Sequence, residues 1–428
     1  MPISKDFEYR LTPLLHDIVA HYGTPFHLYD EVGIRQTGAR LNDAFSRFHG
    51  FKEYFAVKAL PNPAIMRIMR SMGFGFDCSS IAELRLARMI DAHGDEIMFT
   101  SNNTSRAEFI VAESEGGVIL NLDDISLVPK VPTMPDLISF RYNPGAQRTG
   151  NDIIGNPLDA KYGVSTDQLL SAYRDARERG ARRFGIHTML VSNERNPIYM
   201  VETARMLLAL VEELGAELDA GFEFINIGGG LGIPYQPEDK PFDIDAMAEG
   251  LAPLFQDFQS RNGYAPKLFM ESGRYMTGPH GALITKAINH KAIYRNYVGV
   301  DACMSALMRP AMYDAYHHIT VFGEDGIKKD DGEIRTVDVV GSLCENNDKF
   351  ATQRSLPRIQ ENDILCIHDT GAHGHAMGFN YNGRVRPKEL LLCADGTVAL
   401  IRREETIDDL FATLRFEPDV FGGARWNR

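Results

Sequence analysis

The sequence predicts an α/β protein in two parts, a (β/α)8 barrel and a β-rich domain. Three observations carry that prediction. From about residue 50 to 285, short β-forming apolar runs alternate with longer helical patterns, the rhythm of parallel strands joined by crossover helices. Eight such runs are found, the number that closes a barrel. Beyond about residue 285 the rhythm changes to strand-like runs broken by turn signals.

Taken in order, the barrel strands are expected at Tyr54–Lys58, Phe74–Cys78, Ile97–Thr100, Val118–Asn121, Leu137–Tyr142, Gly185–Leu190, Phe222–Ile227 and Lys267–Glu271. After the first of these, Asn62-Pro63 is a helix start signal, and Ile65, Met66, Ile68, Met69 and Met72 recur near helical spacing. The Leu- and Met-rich stripe Met206–Val211 reads as the buried face of another helix. Later strand-like runs are Ile319–Phe322, Thr336–Val340, Asp363–Ile367, Glu389–Cys393 and Thr397–Arg402, and the N-terminal segment around Pro25–Tyr29 is expected to complete their sheet. The expected division is a barrel over 35–285 and a β-rich domain built from 1–34 and 286–428.

Composition excludes several classes. With 44% hydrophobic and 24% charged residues the chain is a globular one, long enough for a large core. The 45 Lys and Arg against 58 Asp and Glu give a net charge of −13, which repels a phosphate backbone, and no basic patch offsets it, so no nucleic-acid partner is expected. The five cysteines are far apart and form no Cys-x-x-Cys pair, as in a protein with reduced thiols in the cytoplasm. Met1 to Pro25 holds no signal-peptide core, and Met206–Val211 is far too short for a membrane span.

Active-site groups of a (β/α)8 barrel lie at the C-terminal ends of its strands. Lys58, Asp77, Arg141, His187, Gly228–Gly230 and Glu271 all fall at or near such ends. Lys58 closes the apolar run Phe55-Ala56-Val57: it is either a lysine reaching out to water or an amine placed to form a Schiff base. The run Gly228-Gly229-Gly230-Leu231-Gly232 is either a flexible turn or a cradle of backbone N–H groups for a phosphate. It is not a dinucleotide fingerprint, because Ile233 occupies the place of the third glycine. Glu271 and Arg274 are either a surface ion pair, or a carboxylate for a pyridine nitrogen beside a phosphate- or carboxylate-binding arginine. His368, Asp369, His373 and His375 crowd together in ligand types, but no second ligand cluster completes a metal site, and none is expected.

Eight motifs in order resemble the diaminopimelate decarboxylases, within the wider ornithine/diaminopimelate decarboxylase superfamily. They are Tyr54-Phe55-Ala56-Val57-Lys58; Gly75-Phe76-Asp77-Cys78-Ser79-Ser80 with Glu83; Arg141-Tyr142-Asn143-Pro144-Gly145; the triple glycine; Glu271-Ser272-Gly273-Arg274; Arg309-Pro310-Ala311-Met312-Tyr313; Gly341-Ser342-Leu343-Cys344-Glu345; and Asn380-Tyr381-Asn382. The match runs from about Gly23 to Cys393. The resemblance implies a pyridoxal 5′-phosphate (PLP) enzyme acting on a small amino acid, working as a homodimer with active sites shared across the interface. It implies that Lys58 carries the cofactor as a Schiff base and that Glu271 pairs with the pyridine nitrogen. Asp77, Met189 and Arg274 would lie about the cofactor, and Ser192, Gly228, Gly229, Gly230 and Tyr381 would hold its phosphate. Arg274, Arg309, Tyr313 and Tyr381 would bind substrate, with Cys344 and Glu345 arriving from the partner subunit and Cys344 returning the proton to the α-carbon.

The chain also departs from the family's pattern. A His-x-His-Ile-Gly-Ser run is usual in the sixth strand, but here the residues are His187-Thr188-Met189-Leu190-Val191-Ser192, so Met189 stands where an imidazole normally stacks on the ring. A thioether also packs well on an aromatic face. Ser272 replaces a proline, Asn346-Asn347 replace Ser-Gly, and His373 stands where tyrosine is common. The expected activity is decarboxylation of meso-diaminopimelate to L-lysine, with a related basic or D-amino acid as the alternative substrate. A racemase of this fold carries arginine in place of Glu271, and a non-catalytic homologue has no use for Lys58, Glu271 and Cys344 together.

Overall fold

A computed structural model describes residues 3–150, 155–330, 332–415 and 417, so 1–2 and 418–428, the ends of the expected β-rich domain, lie outside it. Eight parallel strands close into a barrel: β2 (Lys52–Ala56), β3 (Gly75–Cys78), β4 (Gly94–Phe99), β5 (Val118–Leu122), β6 (Leu137–Arg141), β7 (Arg183–His187), β8 (Phe222–Asn226) and β9 (Lys267–Met270). Each overlaps one of the expected runs. Helices cross between them, beginning with α3 (Pro63–Ser71), where the Asn62 side chain accepts the Ala64 N–H and Pro63 sits at the first helical position. Its buried residues are Ile65, Met66, Ile68 and Met69, the apolar stripe of the sequence. Of the expected stripe Met206–Val211, Leu207, Leu208, Leu210 and Val211 are buried within the helix Pro197–Leu218, while Met206 is partly buried and Ala209 exposed. The β5–β6 crossover departs from the strand–helix rhythm: it is a 3-10 turn, Ile125–Lys130, containing Pro129.

The floor of the barrel is packed solid. Tyr54, Met98, Ile119, Phe224 and Phe269 fill it, with Phe224 and Phe269 stacked at 4.5 Å. Polar side chains project inward above this floor, so the C-terminal mouth is where chemistry is possible.

Two strands end more than one residue short of expectation. The ladder of β2 has its last partner at Ala56, opposite Asp77. With no partner beyond it, the chain turns through a 3-10 segment, Val57–Ala59, and Lys58 stands on that turn rather than in the strand. Likewise β7 stops at His187, which pairs with Arg141 and Asn226, so Met189 belongs to the loop above the strand.

The second sheet has nine strands. Within it lies the N-terminal strand β1 (Phe26–Asp30), antiparallel to β10 (Gly281–Ala292) and parallel to β16 (Lys388–Leu392). The N-terminal segment thus completes the β domain, as its sequence suggested. Not foreseen were an 18-residue helix before it, α1 (Lys5–Tyr22), and three strands: β10, β11 (Asn296–Val300) and β14 (Lys349–Pro357). The tip of β10 is exposed and polar, which hides it from a reading based on apolar runs.

Candidate active site

A cavity of about 350 Å³ opens at the barrel mouth, and Lys58, Asp77, Met189, Ser192, Gly230 and Glu271 line one part of it. Arg274, Arg309 and Tyr313 line the rest, together with His373 and Met377 from the β domain. Nine of the residues expected from sequence therefore share one space.

The Lys58 side chain is half-exposed, and its Nζ stands 3.9 Å from Asp77 Oδ2. Three carboxyl groups lie buried near it, and their surroundings separate them. Burial, with the Glu271 charge adding to it, pushes Asp77 up to about 8. Burial pushes Glu53 up to about 8 as well, although Ser272 N–H donates to it. Burial opposes the charge on Glu271 too, but His187, Lys58 and the Asn226 amide outweigh it and hold this carboxyl below its ordinary range. Asn226 Nδ2 donates to Glu271 Oε1 at 2.7 Å, and His187 Nε2 lies 3.1 Å from Oε2. An ionised carboxylate only accepts, so His187 donates from Nε2. At neutral pH one of the three is therefore an anion and two are acids.

Beside Glu271 runs the glycine loop. Asn226 Oδ1 accepts the Gly228 N–H at 2.9 Å, so a single amide holds both the loop and the carboxylate. Gly228 and Gly230 have φ of +73° and +94°. A Cβ on Gly229 would stand 2.1 Å from Glu271 O, and one on Gly230 would stand 2.4 Å from Val191 O, so no side chain fits. Met189 reaches this loop directly, its Sδ accepting the Gly229 N–H at 3.2 Å.

On the other side, Arg274 and Arg309 are buried, and neither has a carboxylate at ion-pair distance among the described residues. Arg274 donates to Ser192 Oγ at 3.2 Å and to Tyr235 Oη at 2.5 Å, and Arg309 donates to the same Tyr235 oxygen. Burial, and then Arg274, Arg309 and Lys58, hold the His373 imidazole well below its usual range, so it faces the cavity neutral.

Five residues expected at the site do not line the cavity: Gly228 and Gly229, in the glycine loop beside Glu271, and three from the β domain. Cys344 and Glu345 are exposed and do not line it. Tyr381, expected at a phosphate, is 48% exposed and also lies outside it. The turn that carries Tyr381 is tied to the β domain instead: Asn380 Nδ2 donates to Glu405, and Asn382 Oδ1 accepts the Cys344 N–H at 2.7 Å. Among the described residues no group of His, Cys, Asp and Glu has the arrangement of a metal site. His368 and His375 instead bond to Thr320 and to the Pro387 carbonyl. Sequence reasoning missed Glu53, Tyr235 and the role of Asn226. Asn226 stands two residues before the glycine run and Tyr235 three after it, so a polar residue flanking each side of that run was the available signal.

An amine able to form a Schiff base, an ionised carboxylate for a ring nitrogen, a backbone cradle for a phosphate and two guanidiniums without acid partners among the described residues together fit PLP. Residues 34–278 match the family model for the pyridoxal binding domain of pyridoxal-dependent decarboxylases. The chain belongs to the pyridoxal-dependent decarboxylases. This decarboxylase uses PLP and is of the diaminopimelate decarboxylase type. It is 46% identical to Protein TabA of Pseudomonas amygdali pv. tabaci over 99% of both chains. With the diaminopimelate decarboxylase of Methanothermobacter thermautotrophicus it shares 37% identity over 92% of each. The crystal structure of the M. jannaschii diaminopimelate decarboxylase in complex with L-lysine superposes with a TM-score of 0.85, at 29% identity and 93% coverage of both chains.

Proposed function

We propose that this decarboxylase releases CO2 from meso-diaminopimelate and leaves L-lysine, as a homodimeric cytoplasmic enzyme of lysine biosynthesis. The observation that carries the reading is the pair of buried guanidiniums, Arg274 and Arg309, facing the same cavity as Lys58 with no acid among the described residues to neutralise them. A buried cation without a partner is costly, so a site that keeps two of them is built for anions. The cofactor's phosphate is one such anion, and a second carboxylate at the far end of the substrate is the other. The M. jannaschii and Helicobacter pylori enzymes crystallised with L-lysine support an amino acid of this length.

PLP, when bound, supplies an electron sink for the pair left behind as CO2 departs. The remaining work falls to the chain. Lys58 would hold the cofactor covalently through its Nζ. Glu271, kept ionised by His187 and Asn226, would keep a proton on the ring nitrogen. Gly228, Gly229, Gly230, Ser192 and Arg274 would hold the phosphate, and Asp77 stands beside Lys58 as a neutral acid. Met189 would pack at the ring, while Arg309 and Tyr313 would fix the distal carboxylate and so orient the bond that breaks. Cys344, Glu345 and Tyr381, exposed in one subunit, serve the site across a dimer interface, with Cys344 returning a proton to the α-carbon.

Two cavity features favour a second reading, a related basic or D-amino acid as substrate: Met189 on the cofactor side, and neutral His373 beside the guanidiniums. A panel decides between them. PLP-loaded protein is assayed for CO2 release from meso-diaminopimelate and from L- and D-lysine and L- and D-ornithine. Diaminopimelate is expected to be preferred, and Arg309→Met to cost about 3–5 kcal/mol in its kcat/KM. Undiminished turnover by Arg309→Met rejects the distal-carboxylate role, and preference for a monocarboxylic amino acid selects the second reading.

A further inference from the structure

Tyr235 lies three residues past the end of β8's glycine loop at Gly232, almost fully buried and absent from the cavity lining. Its single hydroxyl oxygen accepts from both Arg274 Nη1, at 2.5 Å, and Arg309 Nη1. The two guanidinium carbons stand 5.8 and 4.7 Å from the centre of its ring. Like charges this close repel, and no acid among the described residues separates them. A phenol oxygen has lone pairs for two donors, and its ring offers a negative face, so one uncharged side chain offsets the repulsion of two cations. The ring itself is held still. His317 packs against it edge-on at 5.3 Å and is anchored in turn by its Nδ1 to the His368 carbonyl at 2.7 Å.

We propose that Tyr235 is a positioning residue that sets Arg274 and Arg309 at one fixed spacing, and so holds the phosphate end and the distal-carboxylate end of the active site in register. It touches neither ligand. Arg274 also donates to Ser192, on the phosphate side, whereas Arg309 heads the turn that carries Tyr313. Loss of one hydroxyl therefore releases both arginines at once, which no substitution at either arginine does. This rests on the reading above that Arg309 meets the distal carboxylate.

The experiment uses Tyr235→Phe, which removes only the oxygen, with Ser192→Ala and Arg309→Met as one-ended references. Two quantities are measured by titration: the Kd of cofactor-free protein for PLP, and the Kd of PLP-loaded protein for L-lysine and for cadaverine, which differ only by a carboxylate. Tyr235→Phe is expected to raise the Kd for PLP and for L-lysine about tenfold each, leaving cadaverine within about twofold. Ser192→Ala is expected to move PLP alone, and Arg309→Met L-lysine alone. An unchanged Kd for PLP or for L-lysine in Tyr235→Phe overturns the proposal, as does an equal loss for L-lysine and cadaverine, which signals only a packing role. If Arg309→Met does not discriminate L-lysine from cadaverine, the distal-carboxylate reading itself fails and the proposal with it. Where the phenylalanine variant does not fold, 3-fluorotyrosine at 235, a poorer acceptor of the same shape, is put through the same titrations with the same criteria.

Discussion

Glu53 permits a prediction whose size follows from the structure. It stands on β2, with one oxygen accepting the Ser272 N–H and the other buried without a partner. Burial raises it from 4.5 to about 8. Between those values the folded protein keeps a proton that the unfolded chain has given up, so unfolding releases a proton and rising pH favours unfolding. The stability is fully present below about pH 4.5 and declines until the folded carboxyl ionises near 8. At about 1.4 kcal/mol per pH unit, the interval amounts to about 5 kcal/mol. Glutamine has the shape of the neutral acid and nothing to titrate, so Glu53→Gln removes one proton from the linkage. Urea unfolding of the cofactor-free protein, followed by circular dichroism, is compared for the two chains at pH 5, 6 and 7. The advantage of the variant is expected to grow by about 3 kcal/mol from pH 5 to 7. Parallel stabilities across that range would refute the reasoning, because they would mean that Glu53 ionises in the fold as it does in water.

Three further outcomes concern the active site. Lys58→Ala is expected to abolish both the visible absorbance of the bound cofactor and turnover, and an active Lys58→Ala enzyme would remove the basis for the assignment. Because Met189 Sδ holds the Gly229 N–H at 3.2 Å and faces the cavity, Met189→Ala is expected to weaken PLP binding more than Met189→His, as read from the Kd for PLP of each protein. Equal affinities would show that residue 189 does not face the cofactor. A mixture of Lys58→Ala and Cys344→Ala chains, allowed to exchange, is expected to regain about a quarter of wild-type activity, since about half the dimers are mixed and each has one intact site. Activity that stays at the average of the parents, with mixed dimers verified by tags and an impaired Cys344→Ala parent, would place Cys344 outside a shared site.

The sequence by itself determined the barrel, because hydrophobic periodicity is local. Each of the eight strands and the Asn62-Pro63 helix start is written in its own few residues. It also brought forward Lys58, Glu271, the glycines and Arg274, since unusual residues at strand ends stand out against apolar runs, while Arg309 came from the family resemblance. Where strands end was less legible: the last pairs of β2 and β7 are Ala56 with Asp77 and His187 with Arg141 and Asn226, and pairing is a property of neighbours. Only the tertiary structure decided the ionisation of the site. Glu53, Asp77 and Glu271 are alike as carboxyls in sequence, yet Glu271 alone meets His187, 84 residues away, and Asn226, 45 away, and so remains an anion in a place where burial neutralises the other two. The partners of Tyr235 are likewise unreadable in sequence, 39 residues away at Arg274 and 74 at Arg309, until folding brings both guanidiniums to its one oxygen. Charge state and hydrogen-bond partnership depend on distance in space and on exclusion of water, and a linear chain specifies these only once it has packed.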